Sequence, residues 1–217
     1  MSTASSLKRE CYMDTVRFFK DHAKFQLKGA REGAPHATAL LAGLRHCAEQ
    51  PTLQQVQHHV AVTAGYSSWA GLLEAPERDR QLAVVMTREP QLTRFGMGAG
   101  AFHKTREERL AAFARGRAEL RASADDVAEV TTWLLANIAP IRTVNRVWTS
   151  YQHKHMVERV IDRYVANGEL IAAAIIAGYA YRRDAWDSPN VCFAMSSRSV
   201  RAARALGERQ RQDRFPR

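Results

Sequence analysis

Apolar residues recur at helical spacing through almost the whole of this chain, and strict alternation appears only after Gly178. That contrast excludes a sheet-dominated fold. A strand with one buried face needs a period of two, whereas a core-facing helix needs 3.6. Val16, Phe19, Ala23 and Leu27 line one face of a first helix, which Gly29, Gly33 and Pro35 end. Leu40, Leu41 and Leu44 anchor a short second helix. Thr52 and Gln55 form a capping box for a third, with Leu53, Val56 and Val60 as its buried face and Gly65 at its left-handed C-terminal position. Ser67 or Ser68 caps a fourth, which carries Trp69, Leu72 and Leu73.

Glu77 to Met86 is a candidate helix, and Thr87 to Lys104 reads as a loop. Thr105 and Glu108 form a second capping box, ahead of Leu110, Phe113 and Leu120. Ser123 and Asp126 cap a helix with Val127, Val130, Leu134 and Ile138 on one face, ended by Pro140. Ser150 caps a helix from Tyr151 to Tyr164, Asn167 and Gly168 make a turn, and Glu169 to Ala177 form an apolar helix that stops at Gly178. Tyr179–Arg183 and Val191–Met195 then alternate on either side of Asp187-Ser188-Pro189-Asn190, the pattern of a β-hairpin. Ser196 or Ser197 caps a final Arg-rich helix. The expected fold is mainly α, with an N-terminal helical module over 12–75, a connector over 76–104, and a C-terminal module over 105–217 that carries a two-stranded hairpin and is winged-helix-like.

The chain has 217 residues, 46% hydrophobic and 25% charged, enough for one large domain or two small ones and too apolar for a disordered chain. The longest apolar stretch, Leu170 to Gly178, falls well short of the ~18 residues of a membrane span. The first residues show no signal-peptide pattern. Cys11, Cys47 and Cys192 are too scattered for a disulfide framework or a Cys zinc site. A soluble cytoplasmic protein without membrane partner, metal or cofactor is expected.

Charge is the unusual total. Lys and Arg number 32 against 22 acids, a net +10, and residues 198–217 alone carry seven Arg against Glu208 and Asp213. Such a cluster attracts phosphate backbones or an acidic protein. An Ala- and Arg-rich composition can also reflect genomic base content.

Three motifs bear on function. In VAVTAGYSSWAGLL, Ala61 and Gly65 have the spacing of a helix-turn-helix, but Trp69 and Leu72 stand where a recognition helix wants polar groups, which favours a packed helical hairpin. Through Ala23, Lys24, Ala61, Gly65, Tyr66, Trp69 and Leu72, this part resembles a small helical module of bacterial proteins found beside ankyrin-like and glyoxalase-like sequences, which implies a helical fold and no particular activity. Gly96, Gly98 and Gly100 are spaced like a phosphate cradle, yet no hydrophobic strand leads in and Pro90 interrupts the approach, so a flexible connector is the expectation. From Thr105 onward, RAELRAS, TVNRVWTSYQHKH, YVANGELIAAAIIAGY and SPNVCFAMS resemble an uncharacterised family encoded on bacterial plasmids, phages and integrated elements.

Helix, turn, helix and hairpin in that order suggest a winged helix. The helix from Glu169 to Ala177 is apolar all round and has nothing to read a base edge with. Contacts to nucleic acid would fall instead to His153, Lys154, Arg159 and Arg163, to Arg182 and Arg183 by the hairpin, and to Arg198, Arg201 and Arg204 on the last helix. Lys154 and Glu158 could equally form an i,i+4 pair on a solvated face. Tyr151, His155, Glu158 and Asp162 share a face that offers two metal ligands at most, with His58, His59 and His103 as remote complements, and a polar stripe is the expectation. No catalytic motif is present.

The expected function is a non-enzymatic, nucleic-acid-binding accessory protein of a bacterial mobile element, without base preference. The alternative is a protein-binding effector that inhibits a host defence, of the anti-restriction or anti-CRISPR type, or a conjugative transfer complex. A metal-dependent enzyme using the His155 face is the third reading.

Overall fold

Asp14 accepts a hydrogen bond from the Arg17 N–H at 2.9 Å and so starts α1 (Thr15–Arg31) in the computed structural model, which describes residues 14–44, 51–98, 105–185 and 187–214. Cys11, Cys47, Gly100, His103 and the side chain of Leu41 lie outside what the structure describes. The chain divides into two compact units with the boundary between Arg88 and Glu89. The described residues are mainly helical, with two small antiparallel sheets of two strands each.

In the N-terminal unit, α1 is followed by a 3-10 turn at Pro35–Ala37, α2 (Thr38–Gly43), α3 (Leu53–Thr63), α4 (Trp69–Glu74) and α5 (Glu77–Arg88). The Thr52–Gln55 capping box is formed, and Ser68 caps α4 by accepting from the Gly71 N–H at 3.0 Å. Phe19, Ala23, Leu27, Leu40, Val56, Val60 and Leu72 meet in one core, with Trp69 and Tyr66 packed against it. Leu53 is the exception on α3. It stands at the first residue of the helix and is 38% exposed. Arg80 ties the unit together: Nε donates to Thr15 Oγ1 at 3.0 Å, Nη1 to Leu73 O at 3.0 Å, and Nη2 to Glu77 Oε2 at 2.8 Å. The short α4, with Leu72 fully buried, belongs to a packed helical hairpin and presents no recognition face.

The C-terminal unit contains β1 (Leu92–Thr93), β2 (Gly96–Met97), α6 (Arg106–Arg121), α7 (Ala124–Asn137), α8 (Ser150–Ile161), α9 (Asn167–Ile176), β3 (Tyr181–Arg183), β4 (Val191–Phe193) and α10 (Ser197–Arg214). Helix α9 packs on α7, and α10 on α8. Leu170, Ile171 and Ala172 to Ala174 have no exposed surface, whereas Ile175 is half-buried near the end of the helix. The buried α9 cannot enter a groove, so the usual recognition role of a winged helix has no helix to perform it. In the hairpin, Tyr181 pairs with Phe193 and Arg183 with Val191. Tyr179 precedes the strand; its hydroxyl donates to Ile138 O at 2.6 Å and anchors the end of α7.

Two caps differ from the sequence reading. Thr149, not Ser150, caps α8: Gln152 Oε1 accepts from the Thr149 N–H at 2.8 Å, while the fully buried Ser150 Oγ accepts from the Val191 N–H at 3.2 Å. Ser123 makes no capping bond and donates to Leu120 O at 2.8 Å. Helix α8 stops at Asp162, which is left-handed at φ 57°, before reaching Tyr164.

The stretch read as a connector, 76–104, is shared between the units: 77–88 is α5, and 89–98 forms the β1–β2 hairpin. This hairpin is held on three sides, by Arg94 N–H to Gly116 O (2.9 Å), Gly168 N–H to Arg94 O (2.9 Å) and Met97 N–H to Pro189 O (2.9 Å). A Cβ on Gly168 would lie 1.9 Å from Thr93 O, so only glycine lets α9 approach so closely. Gly96 sits at φ +132° with Pro189 O where a side chain would go. The Met97 and Gly98 amides are already bonded, the latter to Gln91 O at 2.7 Å, and so are not arranged to cradle a phosphate.

Candidate nucleic-acid interface

Helix α10 is built from good helix formers on a seam of small residues. Its first bond runs from the Val200 N–H to Ser196 O at 3.0 Å, and Asn145 Nδ2 fixes the start by donating to Ser197 Oγ at 2.7 Å. Val200, Ala203 and Gly207 recur at i, i+3, i+7 and are buried. At Gly207 the helices touch: an added Cβ would lie 3.0 Å from Arg159 Cβ and 3.2 Å from Val160 Cγ2 of α8.

Docking by that seam leaves the opposite side of α10 in water. Arg198, Arg201 and Arg209 are exposed and lie three and eight residues apart, one helical face. Arg159 is exposed on α8 beside Gly207. Arg204 is half-buried, with its guanidinium 4.5 Å from the centre of the Trp148 ring. Among the described residues, none of Arg159, Arg198, Arg201 and Arg209 has an acidic ion-pair partner. Arg182 is exposed on the hairpin.

The other expected contacts are not exposed on the surface that a duplex backbone would meet. His153 is 2% exposed, with Nδ1 2.8 Å from Thr149 O and its ring edge-on to Phe193. Burial lowers its pKa from the ordinary value of 6.5, against the raising effect of the Thr149 bond and with help from nearby Arg204, so it is neutral at pH 7. Lys154 is 5% exposed, and its Nζ donates to Glu158 Oε1 at 2.8 Å and Val165 O at 3.2 Å. Both side chains lie on the side of α8 that turns into the unit. Arg163 is a clamp: Nε bonds Glu129 Oε2 at 2.7 Å and Nη2 bonds Asp126 O at 3.0 Å. Arg183 is half-buried and reaches Gln91 Oε1 at 2.5 Å.

On the Tyr151–Asp162 face, His155 Nδ1 lies 2.6 Å from Glu158 Oε2. Burial alone would raise the Glu158 pKa, but hydrogen bonds from Lys154, the Val165 N–H and His155 bring it below the usual value. That carboxylate is thus engaged three times within the fold. Among the described residues, no group of three or more His, Cys, Asp or Glu side chains is placed to hold a metal ion, and no helix is long and apolar enough to cross a membrane.

Sequence reasoning passed over Arg209, which follows the same period as Arg198 and Arg201, and the buried Glu169. Glu169 Oε2 accepts from the Ala166 N–H at 2.9 Å, and Oε1 lies 3.2 Å from Arg94 Nε. An acid three residues after Ala166 was the available signal. No protein-family model, curated protein or solved structure matches the chain.

Proposed function

We propose that this protein binds nucleic acid through its backbone, as a non-enzymatic accessory protein of a bacterial mobile element. The observation that carries the reading is the arginine face of α10 with Arg159, which has no acidic partner among the described residues while Arg80 and Arg163 are fully engaged. Arginine presents a planar fork that donates two parallel bonds to a phosphate. Backbone binding needs no base-reading helix, which agrees with the burial of α9. The mobile-element setting rests on the resemblance of residues 105 onward to proteins encoded on plasmids and phages.

An anisotropy titration of labelled duplex DNA tests the proposal. Binding should fall at about 10⁻⁴–10⁻⁶ M at physiological salt, the range of non-specific complexes, and should be markedly tighter at low salt. The variant Arg159→Ala/Arg198→Ala/Arg201→Ala/Arg209→Ala should keep the fold and lose most of that binding. No wild-type binding at low salt would refute the proposal. An acidic protein target would then be the better occupant of this face.

A further inference from the structure

The C-terminal unit also holds a cleft of about 300 Å³ that the arginine face does not include. Its walls come from the β1–β2 turn (Arg94, Phe95), from α8 (Tyr151, Lys154), and from Tyr164 and Asn167 around the start of α9. Three of these are aromatic and partly exposed: Phe95 by 43%, Tyr151 by 52% and Tyr164 by 66%. Grouped aromatic surface of this kind marks an interaction site more often than scattered single residues do.

The polar groups of the cleft are fixed and incompletely used. The Lys154 side chain is 6% exposed, with Nζ 4.7 Å from the centre of the Tyr164 ring and 5.5 Å from that of Tyr151. An ammonium has three N–H donors. Two go to Glu158 and Val165 O, and the third has no acceptor among the described residues. Arg94 uses Nε toward the buried Glu169, while its side chain remains 40% exposed and its outer donors have no partner among the described residues. The two N–H groups of Asn167 Nδ2 are shared among Phe95 O, Pro189 O and Asn190 Oδ1, all at 3.1–3.2 Å, and its buried Oδ1 has no donor among the described residues. Each cation already has its own carboxylate, so the cleft offers directed donors and stacking faces rather than a strong net field.

We propose that this cleft binds a nucleoside phosphate, its base stacked against Tyr151 and Tyr164 and its phosphate on Arg94 with Lys154 beneath. A π-face is common to every base, and a guanidinium fork fits a phosphate oxygen pair. The volume is at the lower end for ligand sites, suited to one such group. The same chemistry has two sources, a free mononucleotide or a single base splayed from a strand. Duplex binding by α10 needs no such pocket, so the inference stands apart from the proposed function.

Calorimetric titration of the whole protein with AMP, adenosine, a ten-residue single-stranded oligodeoxyadenylate and a duplex separates the cases. AMP or the oligonucleotide should bind, and adenosine should bind at least tenfold more weakly than AMP. The variant Tyr151→Leu/Tyr164→Leu removes exposed rings and should melt like wild type, yet lose affinity by about tenfold or more per ring, a typical stacking contribution. Tyr151→Phe/Tyr164→Phe should restore it. Binding of AMP assigns a free nucleotide, and binding of the oligonucleotide alone assigns a splayed base. Binding of neither at millimolar concentration, or equal binding by the Leu variant, overturns the proposal. Arg198→Ala/Arg201→Ala/Arg209→Ala should bind AMP as wild type does while losing the duplex, so failure of either site is read separately.

Discussion

Helices α1 and α10 are both strongly basic, and they differ in where the counter-charges lie. On α1, Arg17 lies 3.6 Å from Asp21 and Lys24 3.8 Å from Asp21, while Lys28 lies 3.9 Å from Glu32, the residue that ends the helix, and all are exposed. On α10, Arg198 and Arg201 have no acid one turn away in either direction, and Arg209 has only Asp213, four residues on, whose side chain lies outside what the structure describes. Exposed pairs contribute little stability, about 0–1 kcal/mol each, but an acid one turn away reduces the field a phosphate would feel. Charge counted per helix therefore says less about a partner than the spacing of acids among the bases. The α1 pattern has the spacing of a solvated face, and under the proposed function the α10 pattern would offer its charge to a phosphate backbone.

The comparison breaks first at the seam beneath α10. Val200 is 1% exposed, and Val200→Asp would place an unpaired charge between α10 and α8, at a cost of about 3 kcal/mol or more. Urea unfolding should show that loss, and duplex binding should disappear with the displaced helix. Phe19→Asp, at a fully buried position of α1, should destabilise the N-terminal unit comparably and leave duplex binding in place.

A gentler change converts one pattern into the other. Ala202 and Ala205 are exposed, one turn after Arg198 and Arg201 respectively, and Ala205 is also one turn before Arg209. Ala202→Glu/Ala205→Glu should shift stability by no more than about 0.5 kcal/mol while weakening duplex binding at low salt about tenfold or more. An anisotropy titration of this variant that matches wild type would mean the pattern of counter-charges is not what matters.

The smallest expected effect is in pH dependence, and here the two units behave alike. Burial lowers the pKa of His153 in the C-terminal unit and of His22 and His59 in the N-terminal unit, with His58 adding to the last. The unfolded chain then takes up protons first, so stability is full above the ordinary value of 6.5 and declines as pH falls through the lower folded values. Glu158, also lowered, adds a second decline below its ordinary value of 4.5. Thermal melts from pH 7.5 to 5 should show the first decline, and His153→Asn should make it shallower.

Much of the helical frame was legible because caps and periods are local. The boxes at Thr52–Gln55 and Thr105–Glu108 form as their spacing implies, and Phe19, Ala23 and Leu27 point inward as their period requires. What escaped depends on contacts distant in sequence. The hairpin at Leu92–Met97 is held by Gly116, Gly168 and Pro189, and no periodicity in a glycine-rich stretch announces such partners. The same holds for the interface. His153 and Lys154 read as surface cations beside Arg159, and only the packing of α8 against its neighbours turns the first two inward. Arg163 has the composition of a phosphate ligand and the position of a clamp, which Asp126 and Glu129 of another helix decide.

The most direct test of the charge-pattern account is the salt dependence of duplex binding in two variants side by side, Lys20→Ala/Lys24→Ala/Lys28→Ala on α1 and Arg198→Ala/Arg201→Ala/Arg209→Ala on α10. Each phosphate contact contributes about 0.9 to the slope of log affinity against log salt. The account predicts a slope close to wild type for the lysine variant and a marked flattening for the arginine variant, up to about 0.9 per contact removed. An equal flattening in both, or a flattening in the lysine variant alone, would contradict it.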